Sequence, residues 1–334
     1  MKKLIALLLA LLLTLSALSA LADVYSDAGF IKKIPMKPKY TEARENRGTV
    51  EKLTYTTHDY AAEAEEPGTE ILLEKDLYVY LPYGYSPDQT YNVLYLMHGA
   101  GEDERYWLSE ERMGKPTCAV LDYMMDKGEM EPTIVVSSTV NAGREPGTEA
   151  VHHQYSDTAA QQPSEVPENP TRAANLSVYP IELRNDIIPL IETKYATFTK
   201  GDVSGENLQA TRAHRAFAGF SMGSITTENV MKDCLDIIGY FGNYSAGSDN
   251  EEFFAAMASE EFKDLPILFW YHGEGSADFA LEGHKQFCAA ILEKMADRVV
   301  DGENYAYVEF KGGTHAYNCW LPHMYNCLKV FFKK

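Results

Sequence analysis

Hydrophobic and polar positions along the chain fall into two rhythms. Short apolar or alternating runs at 49–55, 71–80, 92–97, 133–138, 215–218, 237–242, 267–271 and 305–310 predict eight strands. Stretches with apolar residues at three- and four-residue steps, clearest over 120–126, 181–195, 224–234, 282–295 and 322–332, predict helices. From the third strand onward the two kinds alternate. That order implies an α/β fold with a mostly parallel sheet of about eight strands and helices on both faces. The unbroken runs Val93-Leu94-Tyr95-Leu96-Met97 and Ile267-Leu268-Phe269-Trp270-Tyr271 suit central strands buried on both sides.

The segments outside this rhythm read differently. Lys2 and Lys3, an apolar run over 4–13 and Ala20-Leu21-Ala22 ahead of Asp23 describe a signal peptide over 1–22, cleaved near Ala22 to release a secreted protein. Its apolar core is shorter than the roughly 20 residues a membrane span needs, and no later stretch is long enough, so no membrane partner is expected. Residues 23–46 are polar and carry Lys32, Lys33, Lys37 and Lys39, an N-terminal arm. No Gly/Ser/Pro linker divides 47–334, which reads as a single domain. Within it, 141–177 is polar, rich in Pro and Glu and aperiodic, an insertion and candidate lid.

Charge and cysteines then narrow the partners. Lysine and arginine number 30 against 49 acids, a net charge of −19 that becomes −21 once Lys2 and Lys3 are removed. Such a surface repels a nucleic acid and leaves a neutral polysaccharide or a small ester open. Five cysteines (Cys118, Cys234, Cys288, Cys319 and Cys327) are too few for a disulfide-built domain, and their odd number leaves at least one unpaired. A Cys319–Cys327 bridge and buried free thiols both stay open. No cysteine pair has zinc-ligand spacing, and His152-His153 alone makes a poor ligand set, so neither a metal nor a cofactor is expected.

The chemistry concentrates at Gly219-Phe220-Ser221-Met222-Gly223. A bare G-x-S-x-G arises by accident about one time in ten in a chain of this length. Here it follows the strand-like 215–218 and precedes the helix-like 224–234, the strand-turn-helix setting of a nucleophile elbow. In that turn the backbone is strained, bulky neighbours would collide, and the helix dipole faces developing negative charge. Ser221 is therefore the predicted nucleophile. A serine hydroxyl needs a base, and His315 lies in Lys311-Gly312-Gly313-Thr314-His315, a loop leaving the last strand at the edge where parallel sheets place catalysis. The acid that orients it comes from the loop after 267–271, where Asp278 ranks ahead of Glu274 and Glu282, in the chain order Ser, acid, His. His272, directly after the same strand, reads as structural. Oxyanion donors are expected from the amide of Met222 and from Gly99 or Ala100 in His98-Gly99-Ala100-Gly101.

Several ordered blocks carry a resemblance: Val79-Tyr80-Leu81-Pro82-Tyr83-Gly84-Tyr85, Leu94 to Gly99, Glu182-Leu183 with Asp186-Ile187-Ile188-Pro189, the Ser221 elbow, and Gly312-Gly313-Thr314-His315 with Trp320 five residues on. Over nearly the whole chain after the arm, the sequence resembles the secreted feruloyl and acetyl-xylan esterases of carbohydrate esterase family one. These are α/β-hydrolases related to esterase D and the mycolyltransferases. The resemblance implies a triad of Ser221, Asp278 and His315, secretion, and plant cell-wall polysaccharide such as xylan as the polymer bearing the ester. One departure is local: Gly273-Glu274-Gly275-Ser276-Ala277-Asp278 is longer than the compact Gly-x-x-Asp block usual in the family. Tyr106, Trp107, Tyr317 and Trp320 are candidates for holding a phenolic acyl group or a sugar, set against an ordinary place in the core. The expected function is that of a serine esterase hydrolysing feruloyl or acetyl esters on carbohydrate or small molecules. An acyltransferase of the mycolyl type, a catalytically silent carbohydrate-binding relative and a peptidase are its rivals. The pattern sets neither the acyl group nor the oligomeric state.

Overall fold

Continuous apolar runs bury both faces of a strand, and the computed structural model, which describes residues 23–149, 170–248 and 250–333, places them at the centre of one sheet. Its strands are β1 (Thr49–His58), β2 (Leu72–Leu81), β3 (Asn92–Met97), β4 (Thr133–Ser138), β5 (Arg215–Phe220), β6 (Tyr240–Tyr244), β7 (Phe269–Gly275) and β8 (Tyr305–Phe310). They lie in the order β1-β2-β4-β3-β5-β6-β7-β8. β2 runs antiparallel to both neighbours, and every other pairing is parallel. Alternate residues feed two cores. Val93, Tyr95, Phe217, Phe241 and Trp270 face one side, and Leu94, Leu96, Ala218, Tyr240 and Tyr271 face the other.

All eight expected strands form, with two shifted. β6 starts at Tyr240 rather than 237 because the amides of Ile237 and Ile238 both bond to the Cys234 carbonyl at the preceding helix end. Their apolarity reports burial in a turn. β7 runs on to Gly275 because His272, Gly273, Glu274 and Gly275 keep pairing with Tyr307, Val308, Glu309 and Phe310 of β8.

The principal helices are α1 (Gly114–Asp126), α2 (Pro170–Glu182), α3 (Ile188–Lys194), α4 (Met222–Cys234), α5 (Leu281–Lys294) and α6 (Tyr317–Leu328). α4 and α5 cover the first face with Val230, Met231, Phe287 and Ile291; α1 and α6 cover the second with Val120, Met124, Leu321 and Met324. α2 begins inside the segment expected to be an aperiodic insertion, so residues 170–177 are helical. Pro180 lies within α2 and has no amide to donate one turn back. The Leu176 carbonyl instead accepts the Asn229 side-chain amide at 3.1 Å, and a π-helical turn over Leu183–Ile187 leads into α3. The predicted signal peptide at 1–22, His152, His153 and the remainder of the insertion at 150–169 lie outside the described residues.

The N-terminal arm is packed against the fold. The Tyr25 hydroxyl donates to Asp301 at 2.6 Å and accepts the Tyr307 amide, Phe30 packs on Tyr271, and the Asn326 side chain brackets the backbone of Ile31. All five cysteines are free thiols. Cys319 and Cys327 stand eight residues apart on α6, about 12 Å at 1.5 Å per residue, which is beyond disulfide reach. Among the described residues no helix is long and apolar enough to cross a membrane.

Candidate active site

The turn between β5 and α4 holds Ser221 at φ 53° and ψ −120°, a conformation an L-residue adopts only when its surroundings impose it. Both flanking glycines are required by backbone crowding. A Cβ on Gly219 would stand 2.5 Å from the Gly223 carbonyl oxygen, and one on Gly223 would stand 2.6 Å from that of His98. The second contact seats the serine turn against the loop after β3. There Gly99 is pressed on the Phe220 ring, which a Cβ would meet at 2.4 Å. The Ser221 amide donates to the Tyr244 carbonyl at 2.8 Å, so the strained residue is tied to β6 as well.

His98 fixes the loop that carries Gly99 and Ala100. Its Nδ1 lies 2.8 Å from the Gly99 carbonyl and its Nε2 lies 2.7 Å from the Thr139 hydroxyl. A carbonyl can only accept, so Nδ1 carries the proton, and a neutral ring takes the Thr139 proton at Nε2. The Asn141 side chain donates to the carbonyl of Glu102, the residue directly after the loop. The loop that carries Gly99 and Ala100 is thus held against the Ser221 turn, which Met222 follows.

Of the three candidate acids, Asp278 is the one that meets His315: its two oxygens lie 2.9 and 3.0 Å from His315 Nδ1. Glu274 lies in β7, not in the loop, where its oxygens accept from His284 Nδ1 at 2.9 Å and from the Gly275 amide at 2.8 Å. Glu282 is exposed on α5. The longer Gly273–Asp278 spacing accompanies the continuation of β7 through Glu274 and Gly275, which pair with Glu309 and Phe310. The turn begins only at Ser276, and the Ala277 amide then donates to the Gly313 carbonyl in the His315 loop. Burial by itself would push the Asp278 carboxyl up. Hydrogen bonds from His315, the Ala280 amide and the Ser245 hydroxyl outweigh it and hold the carboxyl below the ordinary carboxylate range.

Ser245 escaped the sequence reading. It follows β6 at φ 53°, takes the Trp320 indole N–H at 2.9 Å and passes its own proton to Asp278, so Trp320, Ser245, Asp278 and His315 form one hydrogen-bonded series. The available signal was its position, directly after the strand beside the elbow strand. Phe279 was also missed. Its ring is 72% exposed and lies 4.3 Å from that of His315.

The four aromatics proposed as substrate contacts divide. Trp107 is wholly buried and donates to the Met97 carbonyl, and Tyr106 packs beside it on Phe220, so both support the site from beneath and do not line it. Their apolar bodies are held by the second core, which explains the correction. Trp320 stacks on Phe220 and meets His315 edge-on at 5.1 Å. Tyr317 is partly exposed, with its hydroxyl on Thr117 and the Met113 carbonyl. His272 is buried, as expected for a structural residue.

A strained serine at a helix N-terminus, an imidazole held by a carboxylate and a glycine loop alongside are the parts that acyl transfer requires. Residues 71–227 match the family described as "Putative esterase". The chain is 33% identical over 278 residues to endo-1,4-beta-xylanase Y of Acetivibrio thermocellus, across 80% of this chain and 23% of that protein. It is 27% identical over 180 residues to an endo-1,4-beta-xylanase/feruloyl esterase of Xylanibacter ruminicola, across 51% of this chain and 19% of that one. The chain therefore spans about a fifth of the length of these curated relatives. Among solved structures, a mutant of the feruloyl esterase module from Clostridium thermocellum, complexed with sinapinate, superposes with a TM-score of 0.68 and 27% identity over 91% of this chain and 95% of that one. A ferulic acid esterase from the anaerobic fungus Anaeromyces mucronatus shares the fold, with a TM-score of 0.62 and 21% identity over 89% and 96%.

Sheet order and superposition together define an α/β-hydrolase fold. Within that fold the chain is similar to the feruloyl esterases of carbohydrate esterase family one.

Proposed function

We propose that this protein hydrolyses esters of phenolic acids, ferulate foremost, borne on plant cell-wall polysaccharide. His315 removes the Ser221 proton as the serine oxygen attacks the ester carbonyl, and the amides of Met222 and of Gly99 or Ala100 receive the oxyanion. Collapse of the tetrahedral intermediate expels the sugar alkoxide, which takes the proton from His315. Water, deprotonated by the same ring, then attacks the acyl-enzyme and releases the acid and free Ser221. Asp278 keeps the imidazole in one tautomer and balances its charge throughout.

The observation that carries this reading is the meeting of Asp278 with His315 at 2.9 Å on the sheet edge where the strained Ser221 turns. The likeness to a feruloyl esterase module across 95% of its length supports the acyl class, as does the exposed Phe279 ring over His315. Turnover of methyl ferulate, p-nitrophenyl acetate and feruloylated or acetylated xylan fragments by the purified protein tests it. Ser221→Ala should lower kcat on the order of 10⁶-fold, as in subtilisin, and near-normal turnover by that variant would overturn the mechanism. Preference for acetylated over feruloylated fragments would move the substrate to acetyl-xylan. The same reading has the protein exported with residues 1–22 removed, which the N-terminal sequence of the mature protein checks.

A further inference from the structure

A second cluster of reactive side chains lies on the α5 side of β7, sealed from solvent. His272 points from β7 toward α5, where His284 and Cys288 stand one turn apart on a single helical face. All three are buried, and their ligand atoms lie within 4.8 Å of one another. His272 Nδ1 and His284 Nε2 are 2.9 Å apart. The other nitrogen of His284, Nδ1, is fixed by Glu274 Oε2 at 2.9 Å, and the second Glu274 oxygen is fixed by the Gly275 amide. A carboxylate that grips the far nitrogen of an imidazole in this way is what orients metal-bound histidines. His272 Nε2 is buried with no hydrogen-bond partner. The rings of Trp270, Tyr305 and Phe287 enclose His272 at 4.8, 5.1 and 5.9 Å, so neither imidazole nor thiol can turn to water for satisfaction.

We propose that His272, His284 and Cys288 form a buried structural site for a divalent transition-metal ion of borderline softness, zinc in the first place, with Glu274 orienting His284 from behind. Two imidazoles and a thiolate supply three of the four donors such an ion takes, and a water enclosed with the ion supplies the fourth. A tetrahedral ion about 2.0 Å from each nitrogen and about 2.3 Å from the sulfur holds the two nitrogens about 3.3 Å apart, so the imidazole pair opens by only a few tenths of an ångström while the Cys288 sulfur sits about 3.5 Å from each. Binding releases the Cys288 thiol proton; the proton shared between the two neutral imidazoles moves to His272 Nε2, and the one between His284 Nδ1 and Glu274 stays in place. The ion would join β7 to α5 on either side of the loop that carries Asp278. Because every ligand is buried, it enters as the chain folds. The site involves neither Ser221 nor His315 and stands independently of the esterase mechanism.

The test is to produce the full chain in zinc-supplemented medium, measure zinc per chain after exhaustive dialysis, and repeat with Cys288→Ser and His272→Gln. One equivalent in the parent and its loss in both variants is expected. Should the variants not fold, the parent refolded with cobalt(II) should show intense tetrahedral d–d bands and a sulfur-to-cobalt charge-transfer band. Refolding with a chelator in place of zinc should lower the thermal midpoint by about 5 °C. A parent without zinc, without cobalt bands and with an unchanged midpoint overturns the proposal and leaves a proton as the link between the imidazoles. Zinc retained at one equivalent in Cys288→Ser overturns it equally, by placing the ion elsewhere.

Discussion

Two carboxylate–imidazole pairs of equal length lie within one stretch of chain, and they differ in what surrounds them. Asp278 holds His315 at 2.9 Å, and Glu274 holds His284 at 2.9 Å, each through Nδ1. The first pair stands at the sheet edge, where 16% of the His315 side chain reaches solvent under the Phe279 ring. In the second both side chains are fully buried, and the far nitrogen of His284 faces His272. The pair itself is therefore no signature of catalysis. An imidazole becomes a base when its free nitrogen opens onto a site, and a structural group when that nitrogen meets another protein atom.

The sharpest way to break this comparison is to neutralise each carboxylate in turn. Asp278→Asn should reduce kcat about 10⁴-fold, the loss seen when a serine-protease triad acid is amidated, and lower the unfolding midpoint at neutral pH by less than Glu274→Gln does. Glu274→Gln should keep turnover within a few-fold but cost about 3 kcal/mol of stability, since a buried charge pair loses one partner. Urea unfolding and ester hydrolysis on both variants read the two axes separately. An inactive yet stable Glu274→Gln beside an active Asp278→Asn would exchange the roles of the pairs.

The contrast also shows what the sequence could convey. Eight strands, the elbow and the chain order Ser, acid, His follow from periodicity and spacing, because burial of alternate residues and a crowded turn leave local marks at Val93–Met97 and Gly219–Gly223. The choice between Glu274 and Asp278 carries no such mark. It depends on β7 extending four residues further along β8, to Gly275, and pairing register is a property of two strands together. Trp107 looked like a candidate for the substrate site because an indole suits a sugar as well as a core. Ser245 was invisible because its partners, Trp320 and Asp278, are remote in sequence. The Pro- and Glu-rich composition of 141–177 concealed the start of α2, whose apolar stripe becomes regular only near Leu176.

A smaller effect sharpens the first pair. Ser245→Ala removes the hydroxyl that donates to Asp278 and accepts from Trp320, and a hydrogen bond to a charged group of this kind is worth about 1.5 kcal/mol. About a tenfold loss of kcat is expected, with KM nearly constant. Stability should respond to pH in the same direction. The folded Asp278 carboxyl sits below its ordinary value, so its contribution is fully present above the usual carboxylate range, near pH 4, and is lost as pH falls through the depressed folded value. Ser245→Ala relaxes that depression, so its thermal midpoint should fall by less than the parent's on acidification and level off at a higher pH. Superimposable acid limbs from pH 6 to 3 would remove Ser245 from the series.

The smallest expected effect concerns the exposed side of the pair, where Phe279 lies over His315. An aromatic ring left 72% exposed beside a base either receives the acyl group or shields the imidazole, and the two roles separate by substrate. Aromatic contact with a feruloyl ring is worth about 1 kcal/mol, so Phe279→Ala should raise KM for methyl ferulate about fivefold. Hydrolysis of p-nitrophenyl acetate, whose acyl group cannot reach such a contact, should stay within twofold. An equal fall with both esters, accompanied by a shifted kcat–pH profile, would mean that Phe279 acts on the imidazole and that the acyl group is recognised elsewhere.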